Sequence, residues 1–396
     1  MKKNLNKTKI KEKNNNKIDD KVDNKSFKGF IVFAIVVFLF FFSIYISNNN
    51  FRKFVDTNIL RKVVKEEKLK EIYESVSTQN TFLSNKFIHI LDSGEIKNYD
   101  RNGNLISTNI LSIGSAVSDN KEDYMILGEK GGRRIFLFER GKLKWERELD
   151  VNISNVYINK NGKISVIGNS SMYNSVIVLV DENGNQYLKK YLRTKYAGKA
   201  QISEDNKFLV LALIDYAKIQ ISSEIEIIDI DKAVKDESGA IVKTYTKDKL
   251  ILDIETINGE ETLVRYIDEI YLIDKNEEKK VHDIAPKTMF VNININDGFV
   301  EVSEVKSNIL AQTYVLKIYD KYGSESGTLM LDDEMPKNMI THRTNILIET
   351  PKTITIASDM GWLKKKYSSK RNFLDVKVSE GLIAIIYSDK VSLISL

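Results

Sequence analysis

The sequence of 396 residues contains no cysteine, only three histidines and only three prolines. Without cysteine, the protein has no disulfides, no thiolate metal sites and no thiol nucleophile. The three histidines, His89, His282 and His342, lie far apart in the sequence and leave little imidazole chemistry. Because proline is so rare, few positions interrupt a ladder of β-strands.

The net charge is also small, because 60 Lys+Arg and 55 Asp+Glu residues give a net charge of +5. Residues 1–28 alone hold ten Lys and four acidic residues, so the basic character belongs to this segment. A nucleic-acid-binding domain is therefore not expected. Residues 1–28 are rich in Lys and Asn and poor in apolar residues, which predicts a disordered tail.

One uncharged, apolar run follows this tail, from Gly29 to Ile46. As a helix of about 18 residues it is about 27 Å long, close to the thickness of the hydrocarbon core of a bilayer. We therefore predict that residues 29–47 cross the lipid bilayer. A cleaved signal peptide is the alternative, but the run is long for one and no small-x-small cleavage site follows it. The preceding lysines predict a cytoplasmic amino terminus and an extracellular carboxy-terminal domain.

Residues 48–80 are predicted to form a juxtamembrane stalk. Within Phe51–Ser77, apolar residues recur at steps of mostly three or four, which fits one helix or a helix with one strand. A spacer between the bilayer and the following domain is favoured over a helix that recruits a partner.

From residue 81 to residue 396 the helical period is replaced by a repeated module of short β-rich runs. Each copy has an apolar strand, a second strand that ends in an acidic residue, a turn with glycine and an outer strand, and copies recur about every 40 residues. Asn-Gly and Asp-Gly pairs between the runs are typical of tight hairpins. The copies are Phe87–Ser107, Ile135–Leu149, Val176–Leu192, Glu224–Ile230, Glu269–Ile284, Tyr314–Leu331, Thr353–Tyr367 and Gly381–Leu396.

This period predicts an all-β domain, a β-propeller of about seven four-stranded blades, with six to eight possible. A small sheet with two apolar faces is unstable alone, and stacking blades around an axis buries both faces. The last copy ends at Leu396 without an outer strand, so we expect a strand within Phe54–Thr81 to complete it. A parallel β-helix is the main rival, but its rungs are shorter.

The sequence from Phe87 to Asp231 resembles a Firmicutes family of single-pass, membrane-anchored β-propeller proteins of unknown function. The resemblance is strongest in Gly128–Phe138 and in the following Gly-Lys-Leu at 141–143. Trp145 and Trp362, at outer-strand positions, are similar to the Trp-bearing repeats of quinoprotein-like and WD40-like propellers, whereas Leu105–Ser107 departs from that pattern. The resemblance implies the fold and the location, and it transfers no catalytic residue.

The sequence motifs that could indicate catalysis, a cofactor or a metal site do not match those sites closely. The acidic turns Asp100–Asn104 and Asp181–Asn185 differ from an EF-hand in the position of glycine and are interpreted as hairpins. Gly323–Gly327 has Glu where a nucleophile elbow has Ser, and the S-x-x-K tetrads at 118–121 and 303–306 are interpreted as coincidence. No Gly-rich phosphate loop is present. The sequence thus predicts no catalytic, cofactor-binding or metal-ligating residue, and no cofactor.

Two weaker candidates remain. Carboxylates of blades can line a central channel as an acid/base pair, and the candidates are Asp215, Asp253, Asp268 and Asp274. The basic patch Lys364–Lys366, Lys370 and Arg371 can meet anionic wall polymers or lipid head groups, although a solvated outer strand is favoured.

The function predicted from the sequence is a non-catalytic binding or scaffold module for an envelope protein or polymer. The alternatives are a hydrolase or lyase acting on an envelope glycan, with carboxylates at the propeller axis, and a transmembrane sensor that signals through the tail.

Overall fold

The fold is described from a computed structural model. It describes residues 24–48, 51–52, 55, 70–72, 80–216, 221–236, 239–258, 261–274, 277–308, 311–379 and 381–395. The predicted tail at 1–28 and stalk at 48–80 therefore lie mostly outside the described residues. The chain divides into two units, Met1–Arg61 and Lys62–Leu396.

The first unit contains one long helix, α1, at Asn24–Ser47. Its segment Gly29–Ser47 has 19 residues and a mean hydropathy of 2.8. This length and composition suit a membrane-spanning helix, and they suit a signal sequence equally well.

The second unit is a β-propeller of eight four-stranded antiparallel sheets. Within each sheet we label the strands A to D from the axis outward. The first four blades contain β2 to β17: β2 Thr81–Ser84, β3 Phe87–Asp92, β4 Glu95–Tyr99 and β5 Leu105–Ile110; β6 Ala116–Lys121, β7 Tyr124–Glu129, β8 Arg134–Glu139 and β9 Lys142–Glu148; β10 Asn152–Ile158, β11 Ile164–Ser170, β12 Tyr173–Val180 and β13 Gln186–Leu192; β14 Tyr196–Ile202, β15 Phe208–Asp215, β16 Ser222–Asp229 and β17 Ile241–Lys247.

The other four blades contain β18 to β32 and β1, and a short helix, α2 at Ile230–Lys235, joins β16 to β17 in blade 4. Their strands are β18 Ile251–Asn258, β19 Glu261–Tyr266, β20 Glu269–Asp274 and β21 Glu277–Asp283; β22 Thr288–Ile295, β23 Gly298–Asn308, β24 Ala311–Asp320 and β25 Glu325–Met330; β26 Asn338–His342, β27 Asn345–Glu349, β28 Thr353–Ser358 and β29 Leu363–Ser368; and β30 Asp375–Ser379, β31 Leu382–Ile386, β32 Val391–Ser395 and β1 Lys70–Ile72.

The ring closes through β1, which is the outer strand of blade 8. It pairs antiparallel with β32, with Glu71 opposite Ser392, and Lys390 forms an ion pair with Glu71. Ile72 is buried in this blade. The prediction that a strand within residues 54–81 completes the last blade is confirmed, and this strand lies inside the segment predicted to be a stalk.

The expected number of seven blades is wrong, because the ring has eight. Each sequence copy forms its own blade. The last copy, Gly381–Leu396, supplies only part of a sheet, yet it becomes a full blade because β1 adds the missing outer strand. The antiparallel pairing in every blade also rules out the parallel β-helix.

The hydrophobic core is divided into eight clusters, one between each pair of neighbouring blades. Between blades 1 and 2, for example, Phe136 and Phe138 are fully buried and pack with Ile96. Full burial of one such side chain contributes about 1.5–3 kcal/mol. The stacking of blades therefore stabilises the ring as the sequence predicted.

Strand A of each blade contacts strand A of both neighbours, so the eight A strands surround the axis. All of them run in the same direction, so the turns between strands A and B lie together on one face of the ring. We call this the AB face. The turns between strands B and C lie on the opposite face.

Candidate functional site

A basin opens at the axis on the AB face. Its volume is about 480 Å³, and it is lined by the ends of β6, β18, β22 and β26 and by the turns that follow β6, β10, β14, β22 and β26. Ile257, Ile293 and Ile295 supply the apolar part of the lining, and the remainder is mostly polar or charged. The A strands carry these side chains to one place because all of them end at this face.

Two further cavities lie beside the A strands. One of about 140 Å³ is lined by residues from β6, β10, β14 and β18, and one of about 440 Å³ by residues from β2, β6 and β30. Asn120 borders both cavities and the basin. The described residues at the axis therefore leave space that is lined largely by polar groups, rather than a solid apolar plug.

Charged side chains of alternating sign run from the rim of the basin toward the neighbouring cavity, and we call this series the ion chain. Its members come from blades 2 to 5, and successive nitrogen–oxygen distances are 3.8, 3.6, 3.8, 3.5 and 2.8 Å. In order, they are Lys160, Glu204, Lys121, Glu255, Lys199 and Asp253. Each carboxylate in the ion chain thus has at least one ammonium group beside it.

Lys199 is the most enclosed cation of the ion chain, with 18% of its side chain exposed. Its Nζ donates hydrogen bonds to Asp253 Oδ1 at 2.8 Å and to the carbonyl oxygen of Ile254 at 2.5 Å. Burial alone would lower the pKa of Lys199, but the carboxylates of Glu255 and Asp253 raise it above its ordinary value. Lys199 therefore stays charged and does not serve as a base at neutral pH.

Asp119 and Tyr157 lie next to Lys199, and their hydrogen bonds have a structural role. Asp119 accepts backbone hydrogen bonds of 2.9 Å from Ile158 and Asn120, and its burial raises its pKa. Burial raises the pKa of Tyr157 to about 12, and its hydroxyl donates to the carbonyl oxygen of Gly198 at 3.2 Å. Both groups join neighbouring blades.

Two residues that line the basin each bury a polar atom without a hydrogen-bond partner among the described residues, namely Oγ1 of Thr256 and Nε2 of His342. Thr256 is only 6% exposed. Burial, together with the nearby cations Arg343 and Lys121, lowers the pKa of His342 to about 4. At neutral pH the ring of His342 is therefore uncharged, and both unpaired atoms have almost no exposed surface.

An ion pair crosses the mouth of the basin. Arg343, in the AB turn of blade 7, donates through Nη2 to Oε1 of Glu122, in the AB turn of blade 2. Both residues have left-handed backbone conformations, with φ of 53° and 52°. Their side chains are 48% and 45% exposed, so the pair is weak and open to exchange.

The other two histidines are hydrogen-bonded. His89 is fully buried, with Nδ1 2.7 Å from Asn98 Oδ1 and Nε2 2.7 Å from Ser84 Oγ. Because Asn98 Oδ1 only accepts, Nδ1 of His89 donates and Nε2 accepts from Ser84. His282 lies 3.3 Å from Glu301 and packs on Tyr319. Among the described residues, no group of three or more His, Asp or Glu side chains is placed to hold a metal ion.

The four candidate carboxylates are not brought together. Asp253 belongs to the ion chain, and Asp268, in the turn between β19 and β20 on the opposite face, binds Lys249 at 3.0 Å. Asp215 and Asp274 stand at the ends of β15 and β20. No pair of these four side chains forms an acid/base site.

Two of the five cations in the basic patch of blade 7 have carboxylate partners. Lys366 pairs with Asp332, and Arg371 lies 3.4 Å from Asp389. Lys364 donates to Asn345 Oδ1 at 2.7 Å, and burial lowers its pKa. These contacts favour the interpretation as an outer strand and loop.

The remaining sequence motifs have structural roles. Asp100 and Asp181 accept backbone N–H groups two and four residues later, which confirms the hairpin turns. Trp145 donates to the carbonyl oxygen of Glu182 at 3.0 Å and packs on Gly184, whose φ of 84° suits glycine. Trp362 is 57% exposed and lies in the turn before β29.

The serine motifs do not form catalytic sites in the described residues. The tetrad at 118–121 lies along β6, where Lys121 belongs to the ion chain. Ser303 contacts Thr288 at 3.1 Å within blade 6, and Gly323–Gly327 forms part of a hairpin. The sequence analysis missed most residues of the basin, because they come from turns of different blades.

Comparisons with known proteins agree with this fold. Residues 59–396 match the model of DUF5711, a family of unknown function. The solved structure of BamB from Moraxella catarrhalis is similar, with a TM-score of 0.50 and 12% identity, covering 83% of this chain and 100% of that one. Sqt1 from Chaetomium thermophilum is similar with a TM-score of 0.52 and 9% identity, covering 82% and 100%. At these identities only the fold is shared. No curated protein matches the sequence.

Proposed function

The chain belongs to the DUF5711 family of unknown function, and from this premise we propose that it is a non-catalytic binding module whose basin captures a partner. The observation that carries this proposal is a concave surface at the axis. The basin of about 480 Å³ is lined mostly by polar and charged side chains from blades 2 to 7. Concave surfaces with a few convergent polar groups are the usual sites of binding.

The charges support binding over catalysis. A general acid needs a carboxyl group whose pKa lies near the working pH, and a general base needs a free carboxylate. In the ion chain, Glu204 and Glu255 share the ammonium group of Lys121, and Lys199 lies beside Asp253. The glycan hydrolase or lyase considered from the sequence therefore has less support than a binding module.

The apolar helix α1 supports a membrane-anchored module with the propeller outside the cytoplasm. The uncharged segment Gly29–Ser47 follows a Lys-rich tail, and this order favours a cytoplasmic amino terminus. Since the protein has no cysteine, Met172→Cys introduces a single thiol at a residue that is 73% exposed. In intact cells, a membrane-impermeant maleimide is expected to label this thiol. Labelling only after lysis would place the propeller in the cytoplasm and contradict this part of the proposal.

The binding role is tested by photo-crosslinking in cells. A photoreactive amino acid at Asn296, an exposed residue of the basin, is expected to give a specific adduct. The matched control carries the same group at Met172, in the turn between β11 and β12 on the opposite face. Adducts from position 296 and not from position 172 support the proposal. Absence of adducts from position 296, or equal adducts from both, overturns it.

A further inference from the structure

The cavity of about 440 Å³ beside the A strands of blades 8, 1 and 2 has a positively charged lining, and we call it the cationic cavity. We propose that the cationic cavity binds the phosphate group of a small organic molecule, with Lys130 and Lys377 as the cations that recognise it. Its lining shares only Asn120 with the lining of the basin. The cationic cavity is therefore a second site, separate from the basin, and lies beyond the binding function proposed above.

The sign of the charge distinguishes the cationic cavity from the other two cavities at the axis. Its lining includes two lysines and no Asp or Glu. The linings of the basin and of the cavity of about 140 Å³ each include at least three carboxylates beside their cations. A cleft whose charges have one sign focuses the electrostatic potential and concentrates ligands of the opposite sign. The cationic cavity therefore favours an anion.

The two lysines differ in their surroundings. Lys130, in the turn between β7 and β8, is exposed, and its side chain has no partner among the described residues. Its backbone N–H donates to the carbonyl oxygen of Ser115 at 3.0 Å, which holds this turn against the start of β6. Nζ of Lys377, in β30, lies 3.2 Å from Oδ2 of Asp375, which does not line the cavity. A phosphate monoester carries a charge of about −1.5 to −2 at neutral pH, so it can pair with Lys130 and compete with Asp375 for Lys377.

Neutral hydrogen-bond donors line the same cavity. Ser115 and Ser118 are exposed and Asn120 is half-buried, and the side chains of all three have no hydrogen-bond partner among the described residues. Ser118 and Asn120 are two residues apart in β6, so they project from the same side of this strand. A phosphate group presents three strong acceptor oxygens, whereas a carboxylate presents two. A phosphate group therefore uses more of the donors that the cavity offers.

The size of the cavity favours an organic phosphate over the free ion. Sites for small organic ligands usually have volumes of about 300–1,000 Å³, and the cationic cavity, at about 440 Å³, lies in this range. Ala116, Val117 and Val378 are half-buried and supply apolar wall. The carbon skeleton of an organic phosphate can cover these side chains and gain the usual benefit of apolar burial.

The test uses the full chain in micelles of a non-ionic detergent and isothermal titration calorimetry. The probes are phenyl phosphate, inorganic phosphate and benzoate, which carries a carboxylate on the same ring. Phenyl phosphate is expected to bind saturably and more tightly than either of the other probes. Benzoate lacks the third acceptor oxygen and the second charge, and inorganic phosphate lacks the apolar ring.

Lys130→Met and Lys377→Met should each weaken the binding of phenyl phosphate about tenfold, because each removes a charge-assisted hydrogen bond. Ser118→Ala removes one neutral donor and should weaken binding about threefold. Ser118 and Lys130 are both exposed, so these two variants are expected to fold. Near-ultraviolet circular dichroism shows whether each variant is folded.

Lys279→Met is the matched control. Lys279 is an exposed lysine of β21 in blade 5 whose side chain has no partner among the described residues, and it does not line the cationic cavity. This variant loses the same charge from a distant blade, so it should bind phenyl phosphate within about twofold of the wild type.

Three results would overturn the inference: no saturable binding of phenyl phosphate, binding of benzoate as tight as that of phenyl phosphate, or equal affinity of the wild type, Lys130→Met and Lys377→Met. Equal weakening by Lys279→Met and the two cavity variants would also contradict it, because the affinity would then follow the net charge of the protein. None of these measurements involves the basin, whose occupant is tested separately by photo-crosslinking from Asn296.

Discussion

His89 in blade 1 and His342 in blade 7 are both withdrawn from water, and burial lowers the pKa of each to about 4. Their surroundings differ. Both ring nitrogens of His89 have partners at 2.7 Å, whereas Nε2 of His342 has none among the described residues. A lowered pKa of a histidine alone therefore does not identify a functional site. Paired ring nitrogens identify His89 as a histidine that holds a blade together, whereas the buried, unpaired Nε2 of His342 contributes no such bond.

The largest expected effect is on stability at His89. His89→Leu leaves Asn98 Oδ1 and Ser84 Oγ buried without their partner, so we expect a loss of about 3 kcal/mol in the free energy of unfolding. The measurement is urea denaturation followed by circular dichroism. His342→Leu is the control and should lose less than about 1 kcal/mol, because no hydrogen bond of Nε2 is broken. Similar losses for the two variants would remove the distinction between the regions.

The next prediction concerns acid. The ordinary pKa of histidine is 6.5, and the pKa of His342 in the folded protein is about 4. Between these pH values the unfolded chain holds a proton that the folded chain does not, so stability falls as the pH falls. Above pH 6.5 this group contributes no pH dependence.

In His342→Gln this contribution is absent. The loss of stability from pH 7 to pH 4 should therefore be smaller than in the wild type by about 2 kcal/mol, after allowance for partial exposure. Part of the loss of stability that remains in His342→Gln comes from His89, whose pKa is also lowered. The charged groups beside residue 342, which are Arg343, Lys121 and Glu122, are the same in the variant and in the wild type. Urea denaturation at several pH values measures the difference, and parallel pH profiles would show that His342 is not kept neutral by the fold.

A smaller effect is expected for the unpaired hydroxyls. Thr256→Val and Thr341→Val remove buried oxygens that have no partner, so each should leave stability unchanged or raise it by about 1 kcal/mol or less. Thermal unfolding of the two variants side by side checks this. A clear loss in Thr256→Val alone would mean that Oγ1 of Thr256 has a partner within the free protein.

The smallest effect on stability is expected at the mouth of the basin. Glu122 and Arg343 are both about half exposed, so Glu122→Gln should change the free energy of unfolding by less than about 0.5 kcal/mol. A double-mutant cycle with Arg343→Gln measures the coupling between them. Coupling well above 1 kcal/mol would show that the ion pair holds blades 2 and 7 together. The inference that the ion pair at the mouth of the basin is weak and open to exchange would then be wrong.

Much of the fold could be predicted from the sequence, because every blade repeats the same local chemistry. The turn at Asp100–Asn104 and the incomplete copy at Gly381–Leu396 identified the hairpins and the need for a closing strand. The estimate of about seven blades was one fewer than the eight copies in the sequence, the last of which becomes a full blade only with the strand Lys70–Ile72.

The basin was not predicted, for a physical reason. Glu122 and Arg343 are 221 residues apart and meet only when the ring closes. A usable signal did exist in the A strands, where Lys199 and Gln201, and likewise Asp253 and Glu255, alternate with buried apolar residues. Polar side chains at every second position of an innermost strand indicate a polar axis.

The central claim, that the basin is occupied by a partner outside the cytoplasm, is tested most directly by cysteine labelling. Asn296→Cys and Met172→Cys are treated with an impermeant maleimide in intact cells, and each rate is divided by the rate for the same variant after purification. We predict a ratio near one at position 172 and a ratio several times lower at position 296. Equal ratios at the two positions, or no labelling of either in intact cells, would contradict the account.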